Sequence, residues 1–202
     1  MTIYAIVNDF LQPAAERGIQ GPVWTLISPT AILQGGNPYF VPDFASRFEA
    51  RLALAVRIGK LGKGVAPRFA HRYVDAVAPA VVFAAADRLA MLQKENLPWT
   101  SALSYDRALA LGKFKPTALQ EIPRCECALR LDFAEDADET VYSPAALGPS
   151  LEETIEAVSR DNTLKTGDLI LIGLRGSGPE VRPGGRATVT LDGQPSIAFN
   201  IR

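Results

Sequence analysis

The stretch Phe48-Glu49-Ala50-Arg51-Leu52-Ala53-Leu54-Ala55-Val56-Arg57-Ile58-Gly59-Lys60 decides how this chain is read. Leu52 to Ile58 is a largely apolar run bounded by charge and closed by Gly59. A run of that length reads as a buried strand rather than a helix.

Outward from this strand, the chain reads as many short strands joined by turns. The 16 Gly and 15 Pro are widely scattered, which argues against a helical bundle. Ile3 to Val7 and Val23 to Ile27 are short strand candidates. Ala31-Ile32-Leu33 and Tyr39-Phe40-Val41 flank Gly35-Gly36-Asn37-Pro38 and predict a hairpin. Pro67 to Val77 reads as a short helix, and Ala80 to Ala86 as a strand of small residues. Cys127 to Phe133 alternates apolar and polar side chains, as a half-buried strand does. Ser150 and Glu153 have capping-box spacing, and Leu151, Ile155 and Val158 follow on one helical face up to Asp161-Asn162. Leu169 to Leu174 and Ala187 to Leu191 are strands, and Asp192-Gly193 turns the latter into Ser196 to Ile201. The sum is a mainly β (α+β) fold, a rolled mixed β-sheet with a few short helices, as one domain over residues 1–202.

Composition narrows the function classes. At 202 residues the chain can bury a substantial core. A formal net charge of -1 gives no electrostatic case for nucleic acid or an anionic membrane. No apolar run is long enough to span a bilayer. The strand-like opening Ile3-Tyr4-Ala5-Ile6-Val7 lacks the basic start of a secretory signal. With only two Cys, a reducing, cytoplasmic location is expected.

Several segments together carry a resemblance. These are the opening strand, Asn37-Pro38-Tyr39-Phe40-Val41-Pro42-Asp43-Phe44 before it, and Leu61-Gly62-Lys63 with Ala66-Pro67-Arg68-Phe69-Ala70-His71-Arg72-Tyr73 after it. Pro98-Trp99-Thr100 leading into Ser104-Tyr105-Asp106 and Thr163-Leu164-Lys165-Thr166-Gly167-Asp168-Leu169-Ile170-Leu171 complete the set. The chain resembles the compact, single-domain members of the fumarylacetoacetate hydrolase family over almost its whole length. That resemblance implies metal-dependent hydrolases, decarboxylases, hydratases or isomerases of small oxo-acids that commonly form homodimers. In such proteins three carboxylates hold Mg²⁺ or a similar hard cation. The cation stabilises the enolate of the oxo-acid. A His-Glu pair moves protons, and a loop Lys binds substrate.

Transferred residue by residue, the implied chemistry is missing. The Glu-x-Glu pair falls on Arg51 and Ala53, and the third carboxylate on Val82. The Lys of the Lys-Gly-Phe-Asp loop becomes Leu103, with Asp106 retained. The Thr-Gly-Thr-Pro loop reads Ile172-Gly173-Leu174-Arg175. The proton-transfer His falls on Pro13, while Glu16 stands where its partner would be. A guanidinium about 4 Å from a dication would be repelled by about 8 kcal/mol at an effective dielectric near 20. Arg51 could replace the cation and pair with a ligand carboxylate, or leave the strand to meet an acid such as Glu49. The resulting vestigial pocket is expected to comprise Glu16, Arg51, Ala53, Val82, Leu103, Asp106 and Arg175, and to be small and apolar.

Other candidates are weaker. Glu49 and Asp87 could be ligands in a shifted register, but read better as solvated or ion-paired carboxylates. His71, the single His, lies between Arg68 and Tyr73, where the resemblance gives it no catalytic role. Cys125-Glu126-Cys127 lacks the second ligand pair that zinc requires, and buried thiols are the better reading. Gly173 to Gly185, with Arg175, Arg182 and Arg186, has neither Walker nor dinucleotide spacing and reads as a solvated hairpin loop. Ser28, Ser101 and Ser104 have no nucleophile-elbow context.

Three functions follow. One is a family member without metal or catalysis that binds or scaffolds. The second is an active metal-dependent hydrolase, decarboxylase or isomerase of small oxo-acids. The third is a metal-free binder of a small carboxylate through Arg51 or Arg175. A homodimer is expected in each, with Ala80 to Ala86 as an interface candidate.

Overall fold

The computed structural model describes residues 1–8, 21–143 and 149–202. Its strands are β1 (Ile3–Ile6), β2 (Trp24–Ile27), β3 (Ile32–Leu33), β4 (Phe48–Ile58), β5 (Val74–Ala85), β6 (Leu109–Leu111), β7 (Lys115–Pro116), β8 (Cys127–Asp132), β9 (Ala137–Tyr142), β10 (Leu169–Ile172), β11 (Glu180–Val181), β12 (Arg186–Leu191) and β13 (Gln194–Asn200). The two α-helices are α1 (Ala86–Lys94) and α2 (Leu151–Asp161). Strands β2-β1-β10-β4-β5-β6-β3 form a mixed sheet, with β11 added to β4 and β7 to β5; β13-β12-β8-β9 form a second, antiparallel sheet. This is the mainly β, curled mixed sheet with few short helices expected from the sequence.

Strands β4 and β5 are the centre. They pair antiparallel along almost their full lengths, with Arg51 opposite Val82, Ala53 opposite Ala80 and Leu52 opposite Val81. Directly opposed residues share a face, so the two faces differ in bulk. One carries Leu52, Leu54, Val56, Val81 and Phe83, and meets the second sheet. There Phe83 lies edge-on to Phe199 and stacks on Tyr39 at 3.7 Å. The other face carries Ala53, Ala55, Ala78 and Ala80, all buried. Pro79 sits within β5 because its carbonyl accepts from Gly112 on the side facing the gap between β6 and β7. No ladder donor is lost there.

Local rules place the rest. The Ser150 hydroxyl accepts from Glu153 N and the Glu153 carboxylate accepts from Ser150 N, so α2 starts with its predicted capping box. Asp192 and Gly193 both have positive φ, 51° and 72°, which the predicted two-residue hairpin turn requires. Buried Asp168 accepts from Thr2 N and Lys165 N, fastening the N-terminus beside β10.

Four expectations are corrected. Ala31 to Val41 is not a hairpin. Ile32–Leu33 pairs in parallel with β6, and Tyr39 bridges in parallel to Ile201. The helix read over Pro67 to Val77 is a 3-10 turn, Pro67–Arg72, after which β5 begins at Val74. The small-residue strand ends at Ala85, and Ala86 opens α1. Residues Ala80 to Ala85 are buried inside this one chain, so they offer no surface to a second copy. Among the described residues, no helix is long and apolar enough to cross a membrane.

Candidate functional site

The three positions at which the resemblance implies carboxylates do converge. Arg51 and Ala53 lie on one face of β4, and Val82 stands directly opposite Arg51 on β5. All three are buried, Arg51 to 3% exposure. What converges is a guanidinium, a methyl and an isopropyl group. That set offers no oxygen donor, and hard divalent cations require several. Among the described residues, no group of three or more His, Cys, Asp and Glu side chains could hold a metal ion. The residues present do not fit the cation that the resemblance implies.

Arg51 is instead held by the protein. Its Nη2 donates to Glu49 Oε2 at 3.0 Å, and its Nη1 reaches the Arg175 carbonyl at 3.4 Å. Glu49, itself only 7% exposed, also accepts from Gly178 N at 3.3 Å and faces Arg47 at 3.5 Å. Burial pulls the Arg51 guanidinium below its ordinary pKa, and the Glu49 carboxylate opposes that pull. The expected partner was right. The expected escape of Arg51 to solvent was not, because the acid came inside with it.

The segment after β10 closes over this pair. Gly173 has φ 81°, and a side chain there would run into the Tyr142 ring. Ala50 N donates to Pro179 O at 2.9 Å, and β11 then pairs with Phe48 and Glu49. The Gly173 to Gly185 stretch is therefore partly packed against β4 and is not a simple solvated loop. Beside β4, residues including Ala50, Leu52, Tyr142, Gly173, Arg175 and Gly178 line a cavity of about 10 Å³, enough for about one water molecule.

The remaining candidates separate. Leu103 is buried after the 3-10 turn Thr100–Ala102. Asp106 is exposed in the turn before β6, and the Arg175 side chain is exposed while its carbonyl faces Arg51. Glu16 and Pro13 lie outside the described residues. Asp87 accepts from Ser46 N, Ser46 Oγ and Arg88 N, which makes it an anchor for the start of α1. His71 is exposed on its 3-10 turn. Cys125 and Cys127 are buried free thiols, as expected. The sequence reading missed Gly178, whose N–H and missing side chain admit the Glu49-Arg51 pair. An added Cβ there would strike the Ala50 carbonyl. Its signal was the Gly-Ser-Gly-Pro run.

The family model for the Fumarylacetoacetate (FAA) hydrolase C-terminal domain matches residues 5–202. The chain belongs to that family. It is 29% identical over 196 residues to "Oxaloacetate tautomerase FAHD1, mitochondrial" of Mus musculus, covering 96% of this chain and 87% of that protein. It is 28% identical over 188 residues to "Oxaloacetate decarboxylase, mitochondrial" of Dictyostelium discoideum, covering 90% and 84%. The crystal structure of fumarylpyruvate hydrolase from Pseudomonas aeruginosa in complex with Mn²⁺ and pyruvate superposes with a TM-score of 0.80 at 21% identity. That match covers 100% of this chain and 89% of the other, and supports the shared fold.

Proposed function

We propose that this chain is a fumarylacetoacetate hydrolase-fold protein that has given up divalent-cation catalysis and acts by binding or scaffolding. The observation that carries this reading is the Arg51-Glu49 pair. A permanent cation is buried at 3% exposure on the face that Ala53 and Val82 share. The nearest carboxylate, Glu49, is already engaged by that cation, and none of the three positions supplies an oxygen ligand, where a hard divalent cation needs several. A cytoplasmic homodimer is part of the same proposal. Two free thiols support the reducing compartment, and family membership supports the dimer, which light scattering checks.

The second reading is an active metal-dependent enzyme of small oxo-acids. Its support is the near full-length similarity to proteins named oxaloacetate tautomerase and oxaloacetate decarboxylase. One experiment separates the two. The purified protein is incubated with Mg²⁺ or Mn²⁺, desalted and subjected to elemental analysis. Oxaloacetate enol-keto exchange and decarboxylation are then followed by absorbance. The expected result is well below one metal per chain and background rates. A stoichiometric metal with a rate abolished by chelation would establish the second reading instead. A thermal shift with pyruvate or oxaloacetate but without metal would favour carboxylate binding through Arg51 or Arg175.

A further inference from the structure

We propose that the surface built by Lys60, Leu61, Lys63, Arg68 and Arg72 docks an acidic segment of a partner protein. From Gly59 to Tyr73 the sequence carries these four cations and His71 without one Asp or Glu, although the whole chain has a net charge of -1. All five basic side chains are exposed. Among the described residues, none of the four cations takes part in an ion pair. Three of them lie over aromatic rings instead. The Arg68 and Arg72 guanidinium carbons lie 4.8 and 4.9 Å from the Phe69 ring centre, and Lys60 Nζ lies 5.9 Å from that of Tyr73. Ring contacts of this kind orient a cation and leave its charge unneutralised.

The nearby acids outside α2 are engaged elsewhere, and α2, packed against the Pro67–Arg72 turn, carries Glu152, Glu153 and Glu156 at the edge of the patch. Asp75 pairs with Arg57 at 2.7 Å, Asp161 with Arg160 at 3.8 Å, and Asp168 is buried. The backbone under the patch is fixed. Gly62 and Leu164 exchange hydrogen bonds of 3.0 and 2.8 Å, and Gly64 N and Val65 N donate to Ser159. Leu61, 65% exposed between two lysines, adds one apolar anchor. A narrow acidic peptide with an apolar residue fits this mix of charge and one hydrophobe. A membrane or a nucleic-acid duplex is broader and would also meet Glu152, Glu153 and Glu156 of the neighbouring α2. Lys60 is nine residues along the chain from Arg51, about 30 Å at about 3.3 Å per strand residue, so this surface is separate from the Arg51 site.

The probe is a fluorescein-labelled peptide of Asp and Glu with one central Leu, read by anisotropy at two salt concentrations. The wild type should bind it, more weakly as salt rises. The variant K63Q/R68Q/R72Q should bind about tenfold more weakly, with an unchanged thermal midpoint. R130Q/R182Q, which alters exposed cations elsewhere, should bind like wild type. Should the triple variant unfold, Lys63→Gln alone should still weaken binding, by about twofold. Equal affinity of wild type and K63Q/R68Q/R72Q overturns the proposal. So does tighter binding to phosphatidylserine vesicles or single-stranded DNA than to the peptide. Self-association that is lost in the triple variant would assign the surface to a second copy, and would also overturn it.

Discussion

The Arg51 guanidinium donates to the Glu49 carboxylate at 3.0 Å from two positions further along the same strand, and both side chains are shut away from water. Residues two apart on a strand share a face, so this is one strand neutralising its own buried charge. The pair also grips what covers it. The Arg175 carbonyl accepts from Arg51, and Gly178 N donates to Glu49. The ion pair thereby fixes the segment between β10 and β11 against the centre of the sheet.

Removing one partner should therefore be worse than removing both. Glu49→Leu leaves Arg51 buried without its carboxylate, and loss of one partner of a buried pair costs about 3–5 kcal/mol. The double variant Glu49→Leu, Arg51→Met replaces both charges by apolar groups and should recover most of that loss. Urea denaturation of Glu49→Leu alone, Arg51→Met alone and the double variant checks this. Additive losses would mean that the pair is not coupled as the geometry indicates.

Restoring oxygen donors should restore cation binding. Arg51, Ala53 and Val82 already share one face of two paired strands. The variant R51E/A53E/V82D removes the buried guanidinium and supplies three carboxylates. Calorimetry should detect Mn²⁺ binding in the variant and none in the wild type. Heats that are equal and absent in both would show that the backbone no longer holds these positions in ligating geometry.

The parts of the fold legible in the sequence were those governed by local rules. The capping box at Ser150 and Glu153, the Asp192-Gly193 turn and the alternation of Cys127 to Asp132 each need only neighbouring residues. The Ala31 to Val41 segment failed because its partners, Leu109 and Ile201, are distant in sequence, and a Gly-Asn-Pro run looks the same in a loop as in a hairpin turn. α1 was missed because Ala84-Ala85-Ala86 continues the strand without punctuation until Asp87 accepts from Ser46. In the site, the placing of Arg51 and Ala53 within one buried strand was readable. The inward turn of Arg51 was not, since it depends on Gly178, 127 positions away in the sequence. Burial of a charge is decided by such distant contacts.

Gly178→Ala should loosen this closure. The added methyl would meet the Ala50 carbonyl and lie about 3.3 Å from Arg51 Cγ. Overpacking of this kind costs about 1–3 kcal/mol. The expected result is a lower unfolding midpoint together with faster amide exchange at Ala50, whose N–H donates to Pro179 O. An unchanged midpoint would show that the 175–179 segment can shift away freely.

Asp87 should make stability fall in acid. Its carboxylate accepts from the Ser46 hydroxyl at 2.6 Å and the Ser46 N–H at 2.8 Å. These bonds hold its pKa down from 3.8 to about 2, with the Ser46 hydroxyl the largest cause. A depressed carboxyl pKa contributes stability that is complete above the ordinary value and is lost as pH falls through the depressed one. Asp87→Asn should therefore be less stable than wild type above about pH 4, and the gap should close by about pH 2. Thermal midpoints across that range test it, and a gap that stays constant with pH would contradict the assigned role.

The two cysteines should be inert in the folded protein. Cys127 is fully buried at the start of β8, and burial first, then the neighbouring Cys125 and Asp192, pushes its thiol up to about 12. Cys125, 4% exposed, is raised for the same leading reason. The thiolate is the reactive form, and at pH 8 a thiol with that pKa is ionised in only about one molecule in ten thousand. Ellman's reagent at pH 8 should label neither residue quickly in native buffer and both in guanidinium chloride. Rapid labelling of one thiol per chain without denaturant would identify Cys125 as accessible, and would show that the 3-10 turn Leu119–Arg124 opens in solution.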